Sequence, residues 1–540
     1  MLRLTDLRLP LDHPPEALAA AIAARLGGAP LSWRIARRGY DARARGRVVL
    51  TYTIDAEVAD EAAHSLPHTP DTTYRPVATA PSGLAHRPIV IGTGPCGLFA
   101  ALILAESGFR PIILDRGKAV RERTQDTWGL WRRGVLDPES NVQFGEGGAG
   151  TFSDGKLWSQ VKDPAHHGRK VLTEFVLAGA PDEILYVSKP HIGTFRLVQM
   201  VESMRRKIEA LGGEYRFSSR VDDIEVVDGA VRGVVLHTGE KIAADHVVLA
   251  IGHSARDTFE MLHARGVSME PKPFSIGVRI EHPQSLIDRA RFGAAAGHPI
   301  LGAADYRLVH HASNGRSVYS FCMCPGGTVV AAASEPGRLV TNGMSQYSRN
   351  ERNANAGIVV GIDPARDYPD GPLAGIAFQR HWEEAAFAAG GGTWAAPAQR
   401  VEDFLAGRPS TTLGDVVPSY RPGVTPTDLA LCLPDFAVVA MREALRAFDG
   451  ELAGFAMGDA VLTGVETRTS SPLRITRGPD GQSVNTRGLY PAGEGAGYAG
   501  GIMSAGMDGI RTAEAVARVI TGLPPAPGRG REKEASLIYG

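Results

Sequence analysis

Apolar positions along the chain follow two periods. Leu2, Leu4, Leu7 and Leu9 recur at near-alternate positions, as in a half-buried strand. Pro15 to Leu26 is Ala-rich and predicts a helix. Leu31–Ala36 and Val48–Ile54 predict two more strands, joined by an Arg-rich turn. Residues 1–80 are therefore expected to form a small α+β unit of ferredoxin-like type. A linker over about 69–86, with three prolines and small polar residues, ends it.

From Arg87 the pattern changes. Pro88-Ile89-Val90-Ile91 is a short continuous apolar run. A glycine-rich turn follows, then an apolar helix to Ser107 and a second apolar run, Pro111 to Leu114, ending at Asp115. Strand, turn, helix and strand in about 30 residues make the βαβ unit of a doubly wound parallel sheet. Further along, Leu197–Leu211 predicts a helix, and Val221–Val227, Val231–His237 and Val247–Ile251 predict strands, with hairpin turns at Asp228-Gly229 and Thr238-Gly239. Residues 253–484 mix strands with helices such as Phe436–Phe448, and 485–522 return to a strand, a Gly-rich loop and a helix. The expected α/β architecture is a Rossmann-like domain built from 87–252 and 485–522, an inserted α+β substrate or cap domain at 253–484, and a loose Pro- and Gly-rich tail at 523–540.

Bulk composition narrows the function. The net charge of -1, with 22% charged residues, argues against nucleic acid or an anionic membrane as the main partner. An RNA-associated role would have to rest on Arg34, Arg37, Arg38, Arg43, Arg45 and Arg47; a solvated hairpin is the plainer reading. Four cysteines suit a reducing cytoplasm. Asp6, Asp12 and Glu16 interrupt the first twenty residues, unlike a signal peptide, and no uncharged stretch reaches the ~18 residues of a membrane span. The 64 glycines exceed the usual ~7% and cluster at 92–97, 145–150 and 493–501, where backbone would approach a ligand closely.

Gly92-x-Gly94-x-x-Gly97 lies between a strand and a helix, with Pro95 and Cys96 inside it. Gly92 permits the turn, Gly94 leaves room for a pyrophosphate, and Gly97 lets the helix pack on its strand. The helix N-terminus favours phosphate. Asp115 is placed to accept from ribose hydroxyls, and its charge disfavours a 2′-phosphate; Arg116 follows it. A second loop, Gly145-Glu146-Gly147-Gly148-Ala149-Gly150, leads to Ser153-Asp154-Gly155-Lys156. Val247 to Gly252 forms a further strand and turn. Gly488 to Glu494 carries a late acidic motif, and Gly500-Gly501-Ile502 opens a final helix.

These motifs, in this order, resemble the two-dinucleotide-binding-domain flavoproteins. Pro190-His191-Ile192-Gly193-Thr194, Gly252-His253-Ser254-Ala255-Arg256-Asp257, Cys322-Met323-Cys324-Pro325-Gly326-Gly327, Val340-Thr341-Asn342-Gly343-Met344-Ser345 and Gly495 to Gly501 more specifically resemble a group of bacterial FAD-dependent dehydrogenases. The resemblance spans nearly the whole chain. It implies FAD and a redox reaction, and it names no substrate. Gly92, Gly94, Pro95, Cys96, Gly97, Asp115, Arg116, Gly147, Gly148, Lys156, Val221, Gly252, Gly493, Glu494, Gly501 and Ile502 are the expected cofactor-binding residues.

Flavin chemistry asks little acid or base of the protein. Cys322 and Cys324 are candidates for a redox pair, against a plain packed pair on one strand face. His191 is a candidate proton donor, against a structural histidine. Lys156 is a candidate charge near flavin N1. Glu466, Arg468, Ser470, Ser471 and Arg474 form a polar run expected to face the cleft, with Arg468 and Arg474 binding an anionic substrate. Arg349, Arg352, Asn353 and Asn355 form a weaker set, and His253 and Arg256 are read as helix-capping residues. No second nucleotide fingerprint occurs, so NAD(P)H would visit only transiently, and no metal-ligand spacing is present. The expected function is a dehydrogenase or reductase acting on a small anionic molecule; a monooxygenase is the alternative, lacking the Asp-Gly motif with its following Ser and Arg.

Overall fold

The computed structural model describes residues 1–43 and 48–526. Arg45, Arg47 and most of the tail expected at 523–540 lie outside the described residues.

At the N-terminus, Leu2–Pro10 and Ser32–Asp41 flank Val49–Glu57 in a three-stranded antiparallel sheet. The helix Pro15–Leu26 buries Leu18, Ile22 and Leu26 against it. Proline at its first position suits a helix start, and Gly27, at φ +74°, supplies the left-handed stop. One helix and three strands fall short of the two βαβ halves of a ferredoxin-like unit. Beyond Glu57 the chain runs extended into the linker, with only a short 3₁₀ turn at Glu61–Ala63, so no second helix is available to cover a fourth strand.

The central sheet has five parallel strands in the order Leu489–Pro491, Val247–Leu249, Ile89–Ile91, Ile112–Leu114 and Glu214–Arg216. Ile89–Ile91, Ile112–Leu114, Val247–Leu249 and Leu489–Pro491 are continuous apolar runs because both faces are covered. The helices Pro95–Glu106 and Ile502–Ile520 cover one face. The meander Val221–Val227, Ala230–Leu236 and Lys241–Ala243, with the helix Arg256–Ala264, covers the other. Chain order reverses between Ile89–Ile91 and Val247–Leu249, and a ligand crevice is expected at the carboxyl ends of those strands.

The chain between the last two strands of this sheet builds a second layer. Its seven strands run Val309–His311, Ser317–Cys324, Asn353–Ile362, Phe274–Pro283, Val461–Glu466, Ala396–Arg400 and Val424–Pro426. Asp435–Glu451 packs its apolar face on this sheet. The N-terminal unit shares that same apolar core, and Tyr40 meets Phe292 edge-on at 5.7 Å. Among the described residues no helix is long and apolar enough to cross a membrane.

Candidate functional site

A cavity of about 1750 Å³ opens at the switch point and runs between the parallel sheet and the seven-stranded layer. The glycine loop forms one wall. Gly94 caps the helix Pro95–Glu106 with extended backbone, and Pro95 occupies its first turn. A Cβ on Gly97 would meet the Gly92 carbonyl at 1.9 Å, so only glycine lets this helix return onto its strand. Gly97 and Gly147 therefore support the wall from behind. Gly147 donates its N–H to the Thr93 carbonyl at 3.0 Å.

Other glycines are bare for a different reason. A Cβ on Gly252, Gly500 or Gly501 would meet no heavy atom within 4 Å, and one on Gly94 would meet only the Gly148 Cα, at 3.7 Å. Packing does not demand glycine at these four places, although Gly252, at φ +71°, needs it for its backbone. Gly94, Gly252, Gly500 and Gly501 all line the cavity, as do Gly148, Val221, Gly493, Glu494 and Ile502. The surface is cut back to backbone around a space that suits a long dinucleotide, beside a helix N-terminus that suits its phosphates. On this observation the residues present fit FAD.

Asp115 is buried in the cavity wall beside the loop. One oxygen accepts from the Thr93 amide at 2.9 Å and from the Thr93 hydroxyl, and the other accepts from the Gly117 amide at 2.8 Å. It thereby holds the glycine loop. Arg116 forks between Glu139 and Asp257 and lies over the Phe144 ring at 4.2 Å. Cys96 is buried, and a Cβ on Gly493 would sit 2.8 Å from its own Cβ, which makes it a close-packing contact.

At the other side stand the candidate reacting groups. The Lys156 ammonium donates to the Met323 carbonyl and lies 3.6 Å from Asp154. Asp154 in turn pairs with Arg349. Cys322 lines the cavity, whereas Cys324 is fully buried. Burial pushes the Glu494 carboxyl up to about 7.

Three expectations need correction. His191 does not line the cavity: its ring Nε2 meets the Tyr347 carbonyl at 3.0 Å and stacks on Tyr347. Burial, with Arg349 nearby, lowers its pKa. Arg468 borders the cavity, but its guanidinium is spent on Glu383 at 3.0 and 3.1 Å, Ser334 at 2.6 Å and Ser254 at 3.1 Å. It and Arg256 clamp the fully buried Glu383, forming an internal ion cluster in place of a substrate clamp. Arg256 is thus a cluster member, not a cap. Arg474 reaches the cavity wall while binding Glu270 at 3.2 Å. Within the N-terminal unit, Arg34 pairs with Asp55, Arg43 with Asp41, and Arg38 lies over Tyr186.

Two residues that sequence reasoning missed matter here. Asp508 accepts from the Gly493 amide at 2.8 Å and from Arg477 at 2.7 and 3.0 Å, holding the late glycine turn. A lone acid on the apolar face of the last helix was its available signal. Lys272 is 9% exposed, lines the cavity and makes no ion-pair contact among the described residues, with Glu494 the carboxylate whose charge acts on it. Its oxygen neighbours are weak: Pro273 and Ser471 carbonyls at 3.3 and 3.5 Å and the Ser470 hydroxyl at 3.4 Å. Burial lowers its pKa to about 8. No local pattern marked it.

Comparison with known proteins gives the family. Residues 273–469 match the family "FAD-dependent protein, C-terminal domain-like", and 187–292 match "FAD dependent oxidoreductase". Residues 1–57 match a domain of unknown function, DUF8436. A protein of Clostridium beijerinckii (strain ATCC 51743 / NCIMB 8052), described as uncharacterized, is 46% identical over 524 residues, covering 95% of this chain and 98% of that one. Among solved structures, a flavoprotein/dehydrogenase from Cytophaga hutchinsonii is 11% identical with a TM-score of 0.37, over 81% of this chain and 79% of that one. Glycine oxidase from Bacillus cereus ATCC 14579 is 11% identical with a TM-score of 0.32, over 81% and 97%. The flavin-dependent brominase Bmp2 is 12% identical with a TM-score of 0.36, over 81% and 80%. With its glycine-cut cavity, its two flavoprotein family matches and a relative aligned along almost its whole length, the chain belongs to the FAD-dependent oxidoreductases.

Proposed function

We propose that this oxidoreductase is a dehydrogenase or reductase that acts on a small anionic organic molecule. The carrying observation is Lys272, a buried cation that makes no ion-pair contact among the described residues and feels only the more distant charge of Glu494, in the wall of the same cavity that the bare glycines line. A buried ammonium compensated only at a distance is costly, and an anionic ligand offsets that cost. Lys156, held at Met323 and Asp154, adds a second positive charge to the lining of the same cavity. Bound FAD supplies two-electron acceptance and donation. The protein's part is to seat the nucleotide on the loops at 92–97, 147–148 and 493–501, to keep Asp115 and Asp508 locked to those loops, and to orient the anionic group towards Lys272. A reduced nicotinamide is proposed as a transient reductant.

The test is anaerobic reduction with NADH and NADPH, followed by steady-state assays against organic anions with a dye acceptor. Lys272→Met is expected to raise KM for the anionic substrate about tenfold or more, with kcat changed far less, because one charge-assisted contact is removed. Oxygen uptake matched one-to-one by a hydroxylated product would establish a monooxygenase instead.

A further inference from the structure

The strand Ser317–Cys324 pairs regularly with Asn353–Ile362 as far as Phe321, opposite Gly357. The register then jumps to Cys324, opposite Asn355. The extra residue is taken up at Cys322 and Met323, and Cys322 adopts φ +42°. A side chain enters that left-handed region only where its surroundings impose it, and such bulges re-aim side chains beside active sites. Here the bulge turns Cys322 to the cavity while Cys324 stays in the sheet. The Cys324 thiol donates to the Cys322 carbonyl at 3.2 Å.

Cations converge on this bulge from two other elements. Lys156 binds the carbonyl of Met323, the residue between the cysteines. Arg279, fully buried, donates to the Cys322 carbonyl at 2.9 Å and to Asn355 at 3.1 Å, and forks onto Glu466. The facing acids are already engaged, Asp154 by Arg349 and Glu466 by Arg279. Hydrogen bonding between the two thiol side chains, reinforced by Lys156 and Arg279, holds Cys322 well below the usual thiol range, while the same side-chain interaction and burial push Cys324 well up. Cys96 and Cys432 are buried and their thiols are pushed up. The four cysteines thus divide into one cavity-facing thiol among cations, one buried thiol bonded to the Cys322 carbonyl, and two packed sulfurs.

We propose that Cys322 and Cys324 are a dithiol redox pair that reduces a small anionic disulfide bound in the cavity. The proposal rests on the anionic-substrate reading above and names the substrate class. The Cys322 thiolate attacks one substrate sulfur, the substrate S–S bond breaks, and a first thiolate leaves. The Cys324 sulfur then attacks Cys322 Sγ, the mixed disulfide breaks, and the Cys324 proton goes to the second leaving sulfur. The substrate gains two electrons and the protein pair loses two, ending as a Cys322–Cys324 disulfide.

The exchange step itself needs no flavin, so it is tested directly on the reduced holoenzyme with the anionic disulfide 5,5′-dithiobis(2-nitrobenzoate). Two thionitrobenzoates per chain are expected, and the intact mass should fall by two hydrogens with no adduct retained. Cys324→Ser should release one equivalent and keep the adduct on Cys322. Cys322→Ser, with flavin absorbance and circular dichroism confirming its fold, should react about a hundredfold more slowly. Lys156→Met should slow the reaction about tenfold and move its pH midpoint up, with Lys156→Arg restoring both. A wild-type chain that releases one equivalent and keeps the adduct, or a Cys322→Ser chain that reacts at the wild-type rate, overturns the proposal. A holoenzyme inert towards every organic anion tried, yet releasing both equivalents, sinks the preceding reading and supports this one.

Discussion

A Cβ built on Gly148 would lie 2.7 Å from the Cα of Gly94. Two glycine loops more than fifty residues apart in sequence touch backbone to backbone at the mouth of the flavin cavity.

That contact separates two substitutions. Gly148 has φ +62° and no room, so Gly148→Ala is expected to lower both stability and FAD content. Gly94 is extended, and its Cβ would make only an ordinary contact with the Gly148 Cα at 3.7 Å in the cavity wall, so Gly94→Val should fold but bind FAD about a hundredfold more weakly. Visible flavin absorbance of the purified variants, set beside their thermal unfolding, checks both. A yellow, fully loaded Gly94→Val would refute the placement of the pyrophosphate.

Lys272 predicts a pH signature. Its ordinary pKa of 10.5 falls to about 8 in the fold. A base whose folded pKa is depressed costs stability wherever the unfolded chain carries the extra proton. The cost is full below about pH 8, shrinks as pH rises towards 10.5 and vanishes above it. Lys272→Met should therefore stabilise the FAD-free protein at neutral pH by on the order of 3 kcal/mol at most, with no gain near pH 10.5. Urea unfolding at the two pH values measures the difference, and an equal gain at both would mean that packing, not charge, is responsible.

The Glu383 cluster predicts a stability defect. Glu383 is fully buried between Arg256 and Arg468. Glu383→Gln leaves two guanidinium groups undercompensated and should cost about 3–5 kcal/mol in denaturant unfolding. Arg468→Met should likewise destabilise, with KM near the wild-type value. A stable Arg468→Met protein with strongly raised KM would restore Arg468 to the substrate.

The local parts of this protein were legible along the chain. Ile89-Val90-Ile91 followed by Gly92, Gly94 and Gly97 spells strand, turn and helix because each choice is made by neighbours in sequence. The Asp228-Gly229 turn reads the same way: both residues adopt positive φ, as a tight hairpin requires. The helix Pro15–Leu26 needed only alanines, a leading proline and a trailing glycine.

Charge pairing was not legible. Arg468 and Lys272 look equally fit to bind an anion in one dimension. The fold brings Glu383, 85 residues away, onto Arg468, and among the described residues leaves Lys272 without an ion-pair contact, with only the more distant Glu494 charge acting on it. The cysteines show the same limit: strand periodicity puts Cys322 and Cys324 on one face, and the bulge opposite Gly357 and Asn355 leaves Cys322 lining the cavity and Cys324 buried beside it. Backbone conformation follows from adjacent residues. The fate of a charge or a thiol depends on distant groups, because burial and Coulomb interaction act through space, and only the packed tertiary structure decides which groups those are.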